Sequence, residues 1–395
     1  MRNRARIRLL VGAVTAALPV LALVNPAFAS PASSPAAASP AVRSCAAPAR
    51  GSAACLAWVR TDMHAAKVAP NATPSGYGPA DLQSAYKLPS SSRGSGQTVA
   101  IVDAFDDPNA AADLSTYRAQ FGLPACTTAN GCFRKINQTG GTTPPRSNGG
   151  WAQEISLDLD MVSAVCPNCH ILLVEASSAT IANLGAAVNE AASQHPASIS
   201  NSYGGSDESD ASAPFFNHPG IAVTASSGDS GFGVEFPASS HFVTAVGGTT
   251  LNRSGSGFTQ TAWSGAGSGC SSTNTALTGQ ASVNTGCSRR AVADVSADAN
   301  PSTGVAVFDS FASGGLSGWL VFGGTSVASP IIASVYALAG NTASIDNNFP
   351  YTHASSLTDV TSGSNGSCSP SQLCTARVGW DGPTGLGTPN GVGAF

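Results

Sequence analysis

The chain has 395 residues, of which only 10% are Asp, Glu, Lys or Arg, and a formal net charge of −4. That length can bury one large core or two ordinary ones. The charge balance excludes a basic nucleic-acid surface and any charged tail.

The first residues carry an address. MRNRARIR is cationic, LLVGAVTAALPVLALV is apolar, and Ala27-Phe28-Ala29 has the small-x-small form of a signal-peptidase site. The apolar run is short for a membrane anchor and contains Pro19, and no later stretch could span a bilayer. A secreted, extracellular protein without a membrane partner is expected, with a signal peptide at 1–29 and a mature start at Ser30. SPASSPAAASPAVRS (30–44) is low-complexity and predicts disorder. Residues 30–75 therefore read as a leader and a short N-terminal segment, and one continuous domain is expected over 76–395.

Secretion changes how the ten cysteines read. They fall as close neighbours: Cys45 and Cys55, Cys126 and Cys132, Cys166 and Cys169, Cys270 and Cys287, Cys368 and Cys374. Ten cysteines permit on the order of a thousand full pairings. An oxidising compartment and five local pairs favour five short-loop disulfides. CPNCH (166–170) also has the spacing of a c-type haem attachment, but it joins a predicted helix to the strand HILLVEA within an α/β pattern, which favours a structural disulfide.

Buried strands are predicted at 97–105, 170–176, 197–203, 220–228 and 241–248. Helices are predicted near 153–165, at 180–194 and after Ser326. Apolar strands alternating with helices argue an α/β fold, a mostly parallel central sheet with helices on both faces. Sites in such sheets gather at the C-terminal ends of the strands. The Gly- and Ser-rich stretches 203–215 and 250–290 read as surface loops.

GGTSVASP (323–330) places Ser326 among small residues at the start of a buried helix, a placement that suits a nucleophile. A hydroxyl needs a base. None of the six histidines, His64, His170, His195, His218, His241 and His353, sits in a sequence context that marks one. The better candidate is acidic. In GWAQEISLDLDMVSAV, Glu154 and Asp158 are four apart on one helix face. Apolar neighbours cover most of that helix, so the pair is expected to share a dry space and a proton. Asp160 reads instead as solvated near a helix start. TASSGDSG (224–231) puts Asp229 in a glycine-flanked turn after a buried strand. It is either a turn residue or, protonated, a hydrogen-bond donor to a developing oxyanion.

Taken in order, E-x-x-L-D at 154–158, S-G-D-S-G at 227–231 and G-G-T-S-x-A-S-P at 323–330 resemble the motifs of the sedolisin family, the serine-carboxyl peptidases. The resemblance runs from about Gly76 to the C-terminus and implies a subtilisin-like fold. It implies Ser326 as nucleophile, Glu154 as base, Asp158 as its orienting partner and Asp229 as oxyanion donor, in a monomeric endopeptidase acting on protein or peptide substrates at acidic pH. ISNSYGG (199–205) resembles the stretch that pairs with substrate backbone, implying Ser202, Tyr203 and Gly204 along the cleft. LTDVTSGSNG (357–366) and ARVGWDGPTGLGTPNG (376–391) resemble the family's structural calcium site. This implies one Ca²⁺ held by the carboxylates of Asp359 and Asp381 and the carbonyls of Val360, Arg377 and Gly379, an all-oxygen set that suits the ion.

Two departures qualify the resemblance. About 45 residues separate the expected signal cleavage site from the domain start, too few for the family's long prosegment. That leaves open a catalytically silent fold used for extracellular binding. Asp103, in AIVDAFDDP, resembles the catalytic aspartate of subtilisins, but no histidine motif completes that alternative. Asp103 otherwise reads as a strand-end cap, and Asp106 and Asp107 as solvent-facing.

Overall fold

The computed structural model describes Met1, residues 40–63 and residues 74–395. The expected signal sequence, most of the leader, and His64 lie outside the described residues. The chain divides into a unit Met1–Ala37 and a unit Ala38–Phe395. Only the second is considered below.

Its centre is an eight-stranded sheet. Seven strands run in the order Gly257–Ala262, Thr244–Ser254, Ala222–Ser226, Ser198–Asn201, Thr98–Ala104, His170–Ala176 and Phe133–Asn137, and Val295–Asp298 also pairs with Thr244–Ser254. Every pairing is parallel except the hairpin between Thr244–Ser254 and Gly257–Ala262. Alternation along Thr98–Ala104 sorts the core onto two faces. Val99 and Ile101 join a cluster with Ile155 and Val327, while Ala100 and Val102 join one with Leu184 and Val188. Helices Gly149–Val165 and Thr325–Ala339 thus cover one face and Ile181–Ser193 the other.

Local chemistry sets the helix ends. Asn148 accepts the Trp151 N–H at 3.2 Å and Thr180 accepts that of Asn183 at 3.3 Å, both N-caps. The first of these helices stops at Cys166, whose successor is Pro167.

Chain order explains where the site falls. From Thr98–Ala104 the chain builds outward to Phe133–Asn137 and back to His170–Ala176, then crosses to Ser198–Asn201 on the other side. The order reverses between Thr98–Ala104 and Ser198–Asn201, and the crevice beyond their C-terminal ends is where such sheets bind ligands. Asp103 and Ser202 stand at those ends.

A second, antiparallel sheet has the order Ala41–Arg43, Trp58–Arg60, Leu316–Gly323, Val305–Ser313. All five expected disulfides are formed: Cys45–Cys55, Cys126–Cys132, Cys166–Cys169, Cys270–Cys287 and Cys368–Cys374. The pairing of Cys166 with Cys169, both buried, leaves no thiol there for haem attachment. No described helix is long and apolar enough to cross a membrane.

Some expectations are corrected. Residues 250–262, expected in a loop, complete the hairpin of the central sheet, and Tyr203–Gly204 is a strand. Asp160 is buried rather than solvated, with Oδ2 accepting the Phe308 N–H at 2.9 Å. Asp106 and Asp107 are buried as well; Asp106 pairs with Lys135 and Asp107 accepts the Asn109 N–H at 2.9 Å.

Candidate active site

Ser326 lies in the first turn of helix Thr325–Ala339, whose N-cap is Gly324. Gly324 has φ of 101°, and a Cβ there would stand 1.9 Å from the Leu56 carbonyl oxygen and 2.7 Å from Asp229 Oδ2. Only glycine fits that backbone and that crowding. Pro330, inside the same helix, lacks the N–H that would bond the Ser326 carbonyl. Ser202 Oγ approaches that carbonyl at 3.4 Å.

Helix Gly149–Val165 presents Glu154 and Asp158 to the same place, both fully buried. Asp158 Oδ1 accepts the Ser202 hydroxyl at 2.8 Å. Ser326 Oγ donates to the Ser202 carbonyl at 3.1 Å. Ser202 therefore touches the serine through its backbone and the acid pair through its side chain. Neither Glu154 oxygen has a well-formed hydrogen bond among the described residues. The Ser326 hydroxyl is nonetheless close enough to lower its pKa.

Burial pushes the Glu154 pKa well above the usual carboxylate range, and the charges of Asp158 and Asp103 push it further. Asp158 is raised well above its ordinary value by burial and by Asp103. Asp103, buried at the end of its strand with neither oxygen partnered among the described residues, is raised by desolvation to about 8. Three carboxyls thus share one dry space. Like charges there cannot all ionise, and the protons belong to the group rather than to its members.

Asp229 follows strand Ala222–Ser226 across the site. Its Oδ1 accepts two bonds, from Thr325 N–H at 2.8 Å and Thr325 Oγ1 at 2.7 Å. Oδ2 faces Gly324. Burial raises Asp229 to about 7 against the Thr325 bonds, the Arg43 guanidinium and the Trp58 indole N–H. An acid whose first oxygen accepts two donors carries its proton on the second, so the neutral form offers an O–H beside Gly324.

The described histidines find partners elsewhere. His218 bonds the Phe215 carbonyl at 2.9 Å, His241 the Thr275 carbonyl at 3.1 Å and His353 the Phe349 carbonyl at 3.0 Å, while His170 and His195 are exposed.

The N-terminal segment enters this site, which sequence reasoning missed. Ala54 and Cys55 pair antiparallel with Gly204 and Tyr203, and Leu56 N–H donates to the Ser202 carbonyl at 3.2 Å. Glu235 was missed too. A Cβ on Gly204 would stand 2.0 Å from its Oε2, and burial followed by the Asp229 charge raises it to about 7. The run CLAWVR (55–60), apolar and anchored by a cysteine, was the available signal for the segment; Glu235 had none.

Near the C-terminus, Asp359, after strand Leu357–Thr358, and Asp381, on the loop 376–381, come near one another. Asp359 Oδ2 accepts the Gly379 N–H at 2.8 Å, and Asp381 Oδ2 accepts the Arg377 N–H at 3.1 Å. Asp381 is buried and raised to about 7, by desolvation first and by Asp359 last. Two acids drawn together at a glycine-bearing loop fit the binding of a hard divalent cation. A further acidic group, Asp107, Asp113 and Asp309, is buried with carboxylate oxygens within 4.8 Å of one another.

Fold and site together define a subtilisin-like α/β protein with a serine set among buried carboxyls. No family model matches the chain. It is 29% identical over 367 residues to kumamolisin of Bacillus sp. (strain MN-32), covering 82% of this chain and 63% of that protein. It is 27% identical over 378 residues to sedolisin of Pseudomonas sp. (strain 101), covering 83% and 62%. It thus spans less than two thirds of either relative. A solved structure of Pseudomonas sedolisin, a serine-carboxyl proteinase complexed with pseudo-iodotyrostatin, superposes with a TM-score of 0.66 at 25% identity, over 81% of this chain and 96% of that one. Sphericase, at 20% identity and TM-score 0.51, shares the fold. By sequence and by fold the chain is a relative of the sedolisins.

Proposed function

We propose that the chain is a secreted serine-carboxyl endopeptidase that hydrolyses peptide bonds in acidic medium through an acyl-enzyme on Ser326. The observation that carries this reading is the meeting of Ser326 with Glu154, Asp158 and Asp103 in one buried space, opposite Asp229, whose Oδ2 faces Gly324. A serine lacking a histidine needs another base, and an acid pair that shares one proton retains one basic oxygen in acid.

In this mechanism a substrate strand pairs with Tyr203–Gly204, and its residue on the acyl side donates its N–H to the Ser202 carbonyl. Ser326 Oγ attacks the peptide carbonyl while Glu154 accepts the hydroxyl proton. Asp158, tied to Ser202 at 2.8 Å, orients Glu154 and buffers its charge. The oxyanion forms beside Gly324, where protonated Asp229 donates a hydrogen bond, a contribution of about 2.7–4 kcal/mol for such donors. Glu154 returns its proton to the leaving amine, and water completes hydrolysis by the reverse route.

Calcium would be held by Asp359 and Asp381 with the carbonyls of Val360, Arg377 and Gly379. It would supply a structural cross-link between the loop after Leu357–Thr358 and the loop 376–381.

A fluorophosphonate probe at pH 3–5 tests the reading. Labelling that disappears in Ser326→Ala supports it. A folded protein that neither labels nor cleaves denatured protein in acid, after release of any covering segment, refutes it in favour of a silent binding fold.

A further inference from the structure

Three chain segments that pack against helix Gly149–Val165 bring a buried carboxyl each to one place. Asp107 stands on the loop after strand Thr98–Ala104, Asp113 in the first turn of helix Ala110–Gln120, and Asp309 on strand Val305–Ser313. Each is at most 3% exposed, and an oxygen of each lies within 4.8 Å of an oxygen of the other two.

The bonds these carboxyls accept are those of ionised acids. Asp107 Oδ1 accepts the Asn109 N–H at 2.9 Å, and its Oδ2 the Ser156 hydroxyl at 3.2 Å. Asp113 Oδ2 accepts both the N–H and the hydroxyl of Ser310, at 2.7 and 3.1 Å. Asp309 Oδ1 accepts the Phe311 N–H at 3.0 Å. Donors of this kind favour the charged form. The acids beside Ser326 differ: no oxygen of Asp103 or Glu154 accepts a backbone N–H, and shared protons relieve their crowding.

Charge buried in one dry space needs a counter-charge. Lys135 is committed to Asp106, Glu175 and the Asp107 carbonyl, and Arg118 to the Pro124 and Pro167 carbonyls and Ser163. Among the described residues no Lys, Arg or His forms an ion pair with Asp107, Asp113 or Asp309. Asp309 supplies a separate observation. It is fully buried, its Oδ1 is held by Phe311, and its Oδ2 has no hydrogen-bond partner among the described residues. That oxygen is left for a ligand. Asp160, four residues after Ser156 and so on the same helix face, stands beside the group. The charges of Asp113 and Asp309 act on it, and its Oδ1 is likewise buried without a partner. Two oxygens on one Ca²⁺ are at most about 5.2 Å apart, twice the longest Ca–O distance. The three carboxyls meet that limit without moving.

We propose that Asp107, Asp113 and Asp309 bind a second Ca²⁺, separate from the ion assigned to Asp359 and Asp381. An all-oxygen, carboxylate-rich set selects a hard divalent cation. Asp160 would accept from a water on that ion. The ion would cross-link three elements, and its place gives the cross-link a purpose. Asp107 is four residues beyond Asp103, and Ser156, bonded to Asp107, lies between Glu154 and Asp158 on their helix. The site therefore braces the strand end and the helix that carry the buried acids around Ser326. The inference does not depend on the peptidase reading.

Protons are the competing occupant, since burial and then the Asp107 charge raise Asp309 to about 8. The experiment uses the full chain carrying Ser326→Ala as parent, alone and combined with Asp309→Asn or Asp381→Ala. Each protein is stripped with EDTA and equilibrated with Ca²⁺ at about pH 7.5, where carboxylate ligands are most available to metal. Bound ion is counted by equilibrium dialysis, and Tm is measured by circular dichroism in Ca²⁺ and in EDTA. The parent should bind about two ions per chain and each combined variant about one. Asp309→Asn keeps an oxygen for the Phe311 N–H and removes one buried charge. In EDTA it should melt no lower than the parent, and in saturating Ca²⁺ it should melt lower. That reversal separates a ligand from a side chain that only packs. Asp113→Asn is the second variant, with the same count and the same reversal expected. One ion lost with Asp309→Asn but kept in Asp381→Ala supports this site even where the C-terminal one fails. A Ca²⁺ count unchanged by Asp309→Asn and Asp113→Asn overturns the inference. So does a Tm difference from the parent that is the same in Ca²⁺ and in EDTA, the result expected if protons alone occupy the group.

Discussion

Ser326 Oγ donates a hydrogen bond to the Ser202 carbonyl at 3.1 Å, while Glu154 lies near enough to take the same hydroxyl. The same carbonyl also accepts the Leu56 N–H at 3.2 Å, so its two lone pairs hold the N-terminal segment and the serine side by side. Catalysis requires the Ser326 hydroxyl to rotate toward Glu154, whose oxygens are otherwise unpartnered and whose charge is opposed by burial. Resting geometry at a catalytic site is often looser than that of the working complex.

The first prediction concerns that base. Glu154→Ala should lower turnover about as much as Ser326→Ala, because residues that act as one unit do not contribute additively. Replacing His64, His170, His195, His218, His241 and His353 singly by Gln should leave activity largely intact, since none of the five described histidines bonds Ser326. Loss of turnover from one histidine variant that folds normally would transfer the base role to that residue.

Asp229 yields a prediction about pH. Its O–H exists only while the carboxyl is protonated, and burial raises its pKa to about 7. The donor is therefore present in acid and lost as pH rises through about 7. Activity should lie on the acidic side and fall toward neutrality. Asp229→Asn carries an amide that does not titrate; it should cost about 10²–10³-fold in kcat through altered geometry, yet flatten the part of the high-pH limb due to this group. A wild-type rate profile that peaks above pH 7 would exclude the carboxyl mechanism.

How much of this was legible in the sequence depends on the range of the signal. The helix bearing Glu154 and Asp158 announces itself through spacing and apolar neighbours, and Ser326 through its small-residue turn. The burial of Asp103 beside them is different. It depends on pairing between Thr98–Ala104 and Ser198–Asn201, residues about a hundred apart in sequence, and no local pattern encodes that. Asp160 differs from its reading because it stands in the second half of helix Gly149–Val165, not near its start, and strand Val305–Ser313 packs over it and supplies the Phe308 N–H. The N-terminal segment that enters the site was invisible for a related reason. Its low-complexity approach reads as disorder, and its own strands are two or three residues long, stable only against the Tyr203–Gly204 edge and the Leu316–Gly323 strand.

The calcium proposal predicts a ligand-dependent melting temperature. An ion bound only by the folded state stabilises it by RT ln(1 + [L]/Kd), so EDTA should lower Tm and added Ca²⁺ restore it. Asp381→Ala should remove the C-terminal site's share of the response to both, and Asp359→Ala should weaken it. An identical Tm with and without EDTA, in protein first saturated with Ca²⁺, would show that these acids hold no structural ion.

The buried carboxyls away from that loop predict an unusual slope of stability with pH. Burial raises Asp103 to about 8 and Asp229 to about 7, and it raises Asp298 well above the ordinary carboxylate value. In each case the folded pKa exceeds the unfolded one, near 3.8. The unfolded state therefore releases the proton first. Stability from these groups is fully present below about pH 4 and is lost as pH rises through about 7 to 8. This is the reverse of a protein whose acids are salt-bridged, which gains stability over the same span. One pKa unit corresponds to about 1.4 kcal/mol, so several such groups acting together should be visible in a melting curve. Ser326→Ala, which lacks the proposed nucleophile, is the form to measure, by circular dichroism from pH 3 to pH 8 at constant ionic strength and saturating Ca²⁺. Tm should be highest in acid and decline across pH 5–8. Asp103→Asn, which places a neutral group in the same buried position, should make that decline shallower. A Tm that climbs steadily from pH 4 to pH 8 would mean that these carboxyls are ionised and paired in the folded protein, and the shared-proton base would fall with that result.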